Sequence, residues 1–410
     1  MSSLRSLIHT LGRLCAPVLA VVLFLPPVIL AAPGYDYEVV YEVEGTLAAV
    51  AMSEGGAVAI IDSRRTFSGD GGSVVLYRPP GGPIREIFST PQESSDPGEY
   101  ILSSGAVSVG VSDDGYVAIP MRTIEADGTN RFEFLIIDPD GNEIRRVLTS
   151  PAQITNEADA TFSDDFMMAT RDSGALLISN GLTSRTTDLD TLPGLRNPFF
   201  RWPSVNHDGV VATLYQDSPE PFTSGPTHAG LFFDVPGVGT SIVSLGCGDD
   251  CGTADQDGDT TVRRIGLNNR DIAAATIARF VRCDNLPNPF DRVLLVDPVA
   301  GTTATIADTT SGFFDTFLPG TSVGGPSIND FNRVLFDAQW NSECNSAGTG
   351  FSGGESGIFI GDASGEPPTL VFRNNETITT IDGREYRIFF SNTGGWYLRS
   401  NALSNAGEVA

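Results

Sequence analysis

A four-residue polar bend ending in Gly, Asn or Asp recurs seven times between residue 53 and the C-terminus, and no other feature restricts the fold as tightly. The copies read Ser53-Glu54-Gly55-Gly56, Ser112-Asp113-Asp114-Gly115, Arg171-Asp172-Ser173-Gly174, Asn206-His207-Asp208-Gly209, Asn268-Asn269-Arg270-Asp271, Asn329-Asp330-Phe331-Asn332 and Ser404-Asn405-Ala406-Gly407. Their last positions lie 59, 59, 35, 62, 61 and 75 residues apart. That spacing suits one supersecondary unit with loops of varying length. Apolar residues flank each copy, and the three residue types allowed at the fourth position are those that best tolerate positive φ. A type I turn closed by a left-handed residue has that requirement, so each copy predicts a tight β-hairpin. The recurring Asn and Asp residues therefore read first as turn chemistry and only second as a ring of ligand-binding groups.

Around each bend the chain supplies short apolar runs. The first unit reads as strands at 47–52, 57–62, 73–78 and 84–89, and the second as strands at 106–111, 116–122, 132–138 and 144–149. Pro- and Gly-rich turns at Pro79–Gly82, Asp138–Gly141, Val235–Gly237 and Asp297–Gly301 separate third from fourth strands. The 35-residue interval before Gly209 leaves its unit one strand short. Four short antiparallel strands cannot bury themselves alone, so the repeats must stack as a closed β-propeller or an open solenoid. Unit length, strand count and the lack of helical periodicity predict an all-β propeller of about seven blades, within six to eight, spanning residues 35–410 as one domain. The last copy stops with a strand barely begun. The alternating segment Tyr37–Glu44 is a candidate strand to complete that blade, closing the ring with both termini.

Residues 1–31 read as a secretory signal peptide, with Arg5 and Arg13 before an apolar run from Ala16 to Leu30 and small residues at Ala31 and Ala32. Its removal would leave no stable membrane span, and the chain would be secreted or otherwise extracytoplasmic. Every one of the 25 basic residues is arginine against 51 acidic residues, a formal charge of −26 that becomes −28 without the two leader arginines. A surface that acidic repels phosphate backbones and anionic lipid, which excludes nucleic acid as a partner. Cys247, Cys251, Cys283 and Cys344 remain, an even set that in an exported chain predicts two disulfides, Cys247 with Cys251 and Cys283 with Cys344. The competing reading is a four-cysteine zinc site.

The phrase P-S-[IV]-N-x-x-G-x-V-A-F, approached most nearly by Pro203–Thr213 and Pro326–Phe336, resembles bacterial exported proteins built from N-x-x-G-x-x-A-F tandem repeats with a variable choice of C-terminal anchor. The resemblance covers the chain from about residue 47 onward. It implies a bacterial, extracytoplasmic, propeller-like protein and carries no catalytic residues over. Arg171, Asp271 and Asn332 depart from the pattern, and no anchor follows the last copy.

No catalytic or cofactor signature is present. The exported part holds only His207, at a turn position, and His228, in a loop with Pro226, and neither has a neighbouring nucleophile signature. Paired carboxylates at Asp113-Asp114, Asp164-Asp165 and Asp249-Asp250 leave glycoside cleavage open if a propeller rim gathers them. Asp255, Asp257 and Asp259, alternating around Gly258, form a candidate calcium loop or else a solvated acidic one. The leading functional expectation is a non-enzymatic interaction or cell-envelope scaffold with a protein or glycan partner. The alternative is a carbohydrate-active hydrolase or lyase.

Overall fold

Each bend in the described part of the chain forms the hairpin that its composition predicts, and successive hairpins assemble into six blades. The structure is a computed structural model. It describes residues 36–409 apart from 37, 43–45, 64–71, 92–94, 102–108, 149–166, 173–174, 190–191, 193–197, 218–227, 246–259, 280–290, 316, 318–325, 345–350, 353 and 388–401. Tyr37–Ala410 forms one compact unit.

Blade 1 comprises Thr46–Met52, Val58–Ser63, Ser73–Arg78 and Arg85–Thr90, hydrogen-bonded in chain order. In blade 2 the inner strand comes in two pieces, Gly98–Ile101 and Gly110–Val111. Both pair with Val117–Ile124, followed by Asn130–Ile137 and Glu143–Leu148. Blade 3 has three strands, Met168–Asp172, Ala175–Ser179 and Ser184–Asp188, which accounts for the short interval before Gly209. Blade 4 is Pro198–Val205, Val211–Asp217, His228–Val235 and Gly239–Ser244, and blade 5 is Thr260–Leu267, Ala273–Arg279, Arg292–Asp297 and Thr302–Asp308. Blade 6 is Ser327–Ile328, Val334–Trp340, Glu355–Gly361 and Thr369–Arg373. A small hairpin, Glu343–Cys344 with Phe351–Ser352, is inserted after its second strand.

The core lies between blades, not within them. Blades 1 and 2 bury Ile61, Val75, Ile119 and Leu135 against one another. Phe134 and Ile136 of blade 2 meet Met168 of blade 3. Leu231 and Phe233 of blade 4 meet Ile265 and Ala275 of blade 5, and Val293 of blade 5 meets Phe336 and Phe359 of blade 6. A sheet covered on both faces needs apolar residues on both, so the second strands read as unbroken apolar runs instead of alternating ones. Val58–Ser63 is buried along its whole length.

The seam between blades 6 and 1 is built differently. The seventh bend, Ser404–Gly407, forms its turn, but among the described residues only a single bridge, Leu403 to Val409, accompanies it. Nor do residues 38–42 form the regular strand expected of Tyr37–Glu44. They attach through side chains. Val40 and Tyr41 pack on Met52, Ile60 and Leu76, and the Tyr41 hydroxyl donates to Asp62 at 2.9 Å. Glu38 pairs with Arg78 at 2.7 Å. Glu42 accepts from Arg384 at 2.8 Å and from the Tyr386 hydroxyl at 2.7 Å, reaching the hairpin Thr377–Thr379 with Glu385–Arg387. The N-terminal segment thus joins blade 1 to the C-terminal region, with side-chain contacts where a backbone ladder was expected. Among the described residues no helix is long and apolar enough to cross a membrane.

Candidate functional site at the ring of turns

In an up-and-down blade, the first–second and third–fourth turns lie at one end of the strands and the remaining connections at the other. The recurrent bends are first–second turns of neighbouring blades, so they meet in a ring at one end of the molecule. Local chemistry holds each one. The backbone N–H of the fourth residue donates to the carbonyl of the first, at 3.1 Å in Ser53–Gly56 and 3.0 Å in Asn206–Gly209. The described fourth residues have positive φ, from 59° at Asn332 to 88° at Gly407. The first-position side chain accepts from the backbone N–H four residues on, as Ser53 does from Ala57 and Asn206 from Val210, each at 3.0 Å.

Where the first residue is Asn, its amide also stitches blades together. The Asn206 Nδ2 donates to the Asn268 carbonyl at 3.0 Å and to Asp271 Oδ1 at 2.7 Å. Asn268 repeats both bonds to Asn329 and Asn332, at 2.9 and 2.8 Å, and Asn329 donates to the Ser404 carbonyl at 3.0 Å. Asp271 and Asn332, which depart from glycine in the repeat, are therefore acceptors that glycine could not supply.

The second positions form an inner chain. His207 N–H donates to Asn269 Oδ1 at 3.2 Å, Asn269 N–H to Asp330 Oδ1 at 2.8 Å, and Asp330 N–H to Asn405 Oδ1 at 2.9 Å. Asn405 N–H donates to the Glu54 carbonyl at 3.0 Å, and Gly55 N–H donates to the Asp113 carboxylate. The last bend thereby closes on the first. Glu54 reaches further than its neighbours: its carboxyl accepts from Asn405 Nδ2 at 2.8 Å and from the Asn269 amide, and the same Asn405 nitrogen donates to Asp330 Oδ2 at 3.2 Å, which brings the two carboxyl groups together. Burial, the adjacent Asp330 carboxyl and the negative charge of Asp113 push the Glu54 carboxyl up to about 8, with Asn405 partly opposing them. Burial works in the same direction on Asp330, but bonds from Glu54, the Asn269 N–H and Asn405 hold its carboxyl below the ordinary carboxylate value. Near neutral pH the pair carries one proton, held by Glu54.

The third positions face outward. Gly55, Asp114, Asp208, Arg270, Phe331 and Ala406 are all exposed, and no two neighbouring blades present the same chemistry. Phe331 is 61% exposed, with the Arg270 guanidinium 5.8 Å from its ring centre.

Of the residues singled out by sequence, the ring contains Asp113, Asp114 and His207. His207 is a half-exposed turn residue 3.3 Å from Asp208. His228 starts the third strand of blade 4, opposite Asp217, and is not in the preceding loop as expected. Asp164, Asp165, Asp249, Asp250, the calcium candidates Asp255, Asp257 and Asp259, and Cys247, Cys251 and Cys283 lie outside the described residues. Cys344 lies in the inserted hairpin opposite Phe351. Among the described residues, no group of three or more His, Cys, Asp or Glu is arranged to hold a metal. The Glu54–Asp330 pair was not foreseen. Its only sequence signal is that aligned copies put both residues at the same turn position.

No family model and no curated protein matches the chain. Solved structures similar to it include the GH93 alpha-L-arabinofuranosidase of Fusarium graminearum with arabinobiose, 10% identical over 79% of this chain and 98% of that one, with a TM-score of 0.35. A polysaccharide lyase of family PL25, an ulvan lyase, is 9% identical over 83% and 72%, with a TM-score of 0.29. The Aleuria aurantia lectin in complex with a fucosylated sugar is 8% identical over 81% and 97%, with a TM-score of 0.32. Likeness at this level says nothing about activity.

Proposed function

We propose that the protein is an exported, non-enzymatic β-propeller that acts as an interaction or envelope-surface scaffold, taking a protein or glycan partner. One observation carries this reading: the ring fixes the second-position side chains of Glu54, Asp113, Asn269, Asp330 and Asn405 in bonds between bends, while the exposed third positions vary from bend to bend. A rigid frame with chemically diverse tips suits recognition. Phe331 stacked under Arg270 is the strongest contact candidate, because an exposed aromatic gives much contact area for little ordering of its side chain. The signal-like N-terminus and the resemblance to exported tandem-repeat proteins support the location, and the excess of acid supports a neutral or basic partner.

A carbohydrate-active hydrolase or lyase is the second reading, favoured by the proton that Glu54 retains near neutral pH beside the Asp330 carboxylate. Glycoside cleavage needs two carboxyl groups about 5–9.5 Å apart, with the sugar or a water between them. Here the Asn405 amide nitrogen, 2.8 Å from the Glu54 carboxyl and 3.2 Å from that of Asp330, takes up the place between them.

A glycan array and a pull-down against cell-surface extract, run with the native chain and with Phe331→Ala/Arg270→Ala, separate the readings. The scaffold reading expects binding that the double variant weakens by about tenfold or more. Polysaccharide turnover that Glu54→Gln abolishes would overturn it in favour of the hydrolase or lyase.

A further inference from the structure

The seam between the last bend and the first depends on one ionisable side chain. Glu54 lies on the first bend, and its carboxyl touches three others: Asn405 on the last, Asp330 on the one before it, and Asn269 on the bend before that. The other second-position contacts described run between successive described bends, through a backbone N–H and, between Asn405 and Asp330, also through the Asn405 amide at 3.2 Å. Beyond the carboxyl, the seam has the Asn405 N–H to Glu54 carbonyl bond, the buried Ala402 and Leu403, and the side-chain attachment of residues 38–42.

The charged groups around this carboxyl are mostly acidic. Asp330 is in direct contact with it, and Asp113 faces it from the second bend while bonding Gly55 N–H. Glu408 lies against Gly56, on the far side of the same bend. Among the described residues, the basic side chains of the ring are engaged elsewhere. Arg270 lies over Phe331, Arg333 lies against Gly407, and His207 pairs with Asp208. The two direct side-chain donors to Glu54, Asn269 and Asn405, are neutral.

We propose that closure of the ring is proton-linked: Glu54 holds the seam as a neutral acid, and its ionisation against Asp330 loosens the last bend from the first. Protonated, Glu54 can donate to Asp330 while accepting from both asparagine amides. Ionised, it leaves two carboxylates facing each other with only neutral amides to screen them. Loss of this proton as pH rises is the expected trigger, because the surroundings hold the carboxyl far above its ordinary range. The sign follows. A raised carboxyl contributes stability that is fully present below its unfolded value and is lost as pH rises through its folded value, here about 8. Asp330 works the opposite way at acid pH, since its lowered carboxyl loses its contribution only as pH falls below its ordinary value.

The test is hydrogen exchange on the full chain, with each amide's protection referred to its intrinsic rate at the same pH. The reporters are the Ser404 and Asn405 amides, which donate to the Glu408 and Glu54 carbonyls. From about pH 6 to about pH 9 their protection should fall by about tenfold or more in the native chain. In Glu54→Gln, which keeps the shape and cannot ionise, it should change by less than about twofold. Asp330→Asn removes the opposing charge and should also flatten the response, so it decides the matter if Glu54→Gln fails to fold. An equal fall in the native chain and the folded variants overturns the proposal, as does native protection that does not change with pH.

Discussion

At the scale of single residues, the first-position asparagines do two jobs with one amide. The oxygen of Asn268 accepts from Ile272 N–H at 3.0 Å inside its own turn, while its nitrogen donates to Asn329 and Asn332 of the next. The residue is buried, so removing the side chain leaves several groups without partners and without water. Asn268→Ala should lower stability by about 1–3 kcal/mol in urea titration. Asn268→Asp should cost at least as much, since it keeps the acceptor and turns the donor into a charge facing an oxygen. A loss no larger than that of an exposed control would show that the ring bonds carry little. The acceptor half was legible from the residue types alone, since it acts within five residues. The donor half depends on which turn comes alongside.

At the scale of elements, the hairpins owe their geometry to the left-handed residue and their tolerance to what surrounds it. Gly81 and Gly115 both have positive φ, 63° and 84°. A Cβ on Gly81 would meet nothing within 4 Å, whereas one on Gly115 would strike the Tyr77 hydroxyl and come within 3.0 Å of Pro139. Gly81→Ala should therefore cost only the backbone penalty of about 1–2 kcal/mol. Gly115→Ala should cost more, because blade 1 and a neighbouring turn must also move. Equal melting temperatures for the two variants would refute this account. Sequence showed that Gly115 ends a bend and that Gly81 lies inside a Pro- and Gly-rich turn. It could not show that Gly115 lies under the third strand of blade 1, because that packing forms between separate repeats.

At the scale of the whole molecule, the last bend meets the first across a seam where the described residues form a single bridge, Leu403 to Val409, and one backbone bond, Asn405 N–H to the Glu54 carbonyl. Leu403 is 3% exposed although it lies close to the end of the chain. Leu403→Ala should lower stability by about 2–4 kcal/mol, the range for a core leucine, in chemical denaturation. A cost below about 0.5 kcal/mol, as at an ordinary surface position, would mean that the seam is not part of the cooperative unit. Taken alone, the sequence was enough to predict the all-β class, the four-strand units, the short third unit and the register of the bends other than Arg171–Gly174, where Arg171 and Asp172 pair as strand residues, because these follow from turn chemistry and apolar spacing over a few residues. Tertiary structure alone decided that the seventh bend meets the first, that residues 38–42 attach through side chains, and that Glu54 reaches Asn269 and the neighbourhood of Asp330. The contacts that cross the seam, Glu54 to Asn269 and Asn405 and Glu42 to Arg384, join residues more than two hundred positions apart, and their geometry depends on how far successive blades rotate about the common axis, a quantity that no single repeat encodes.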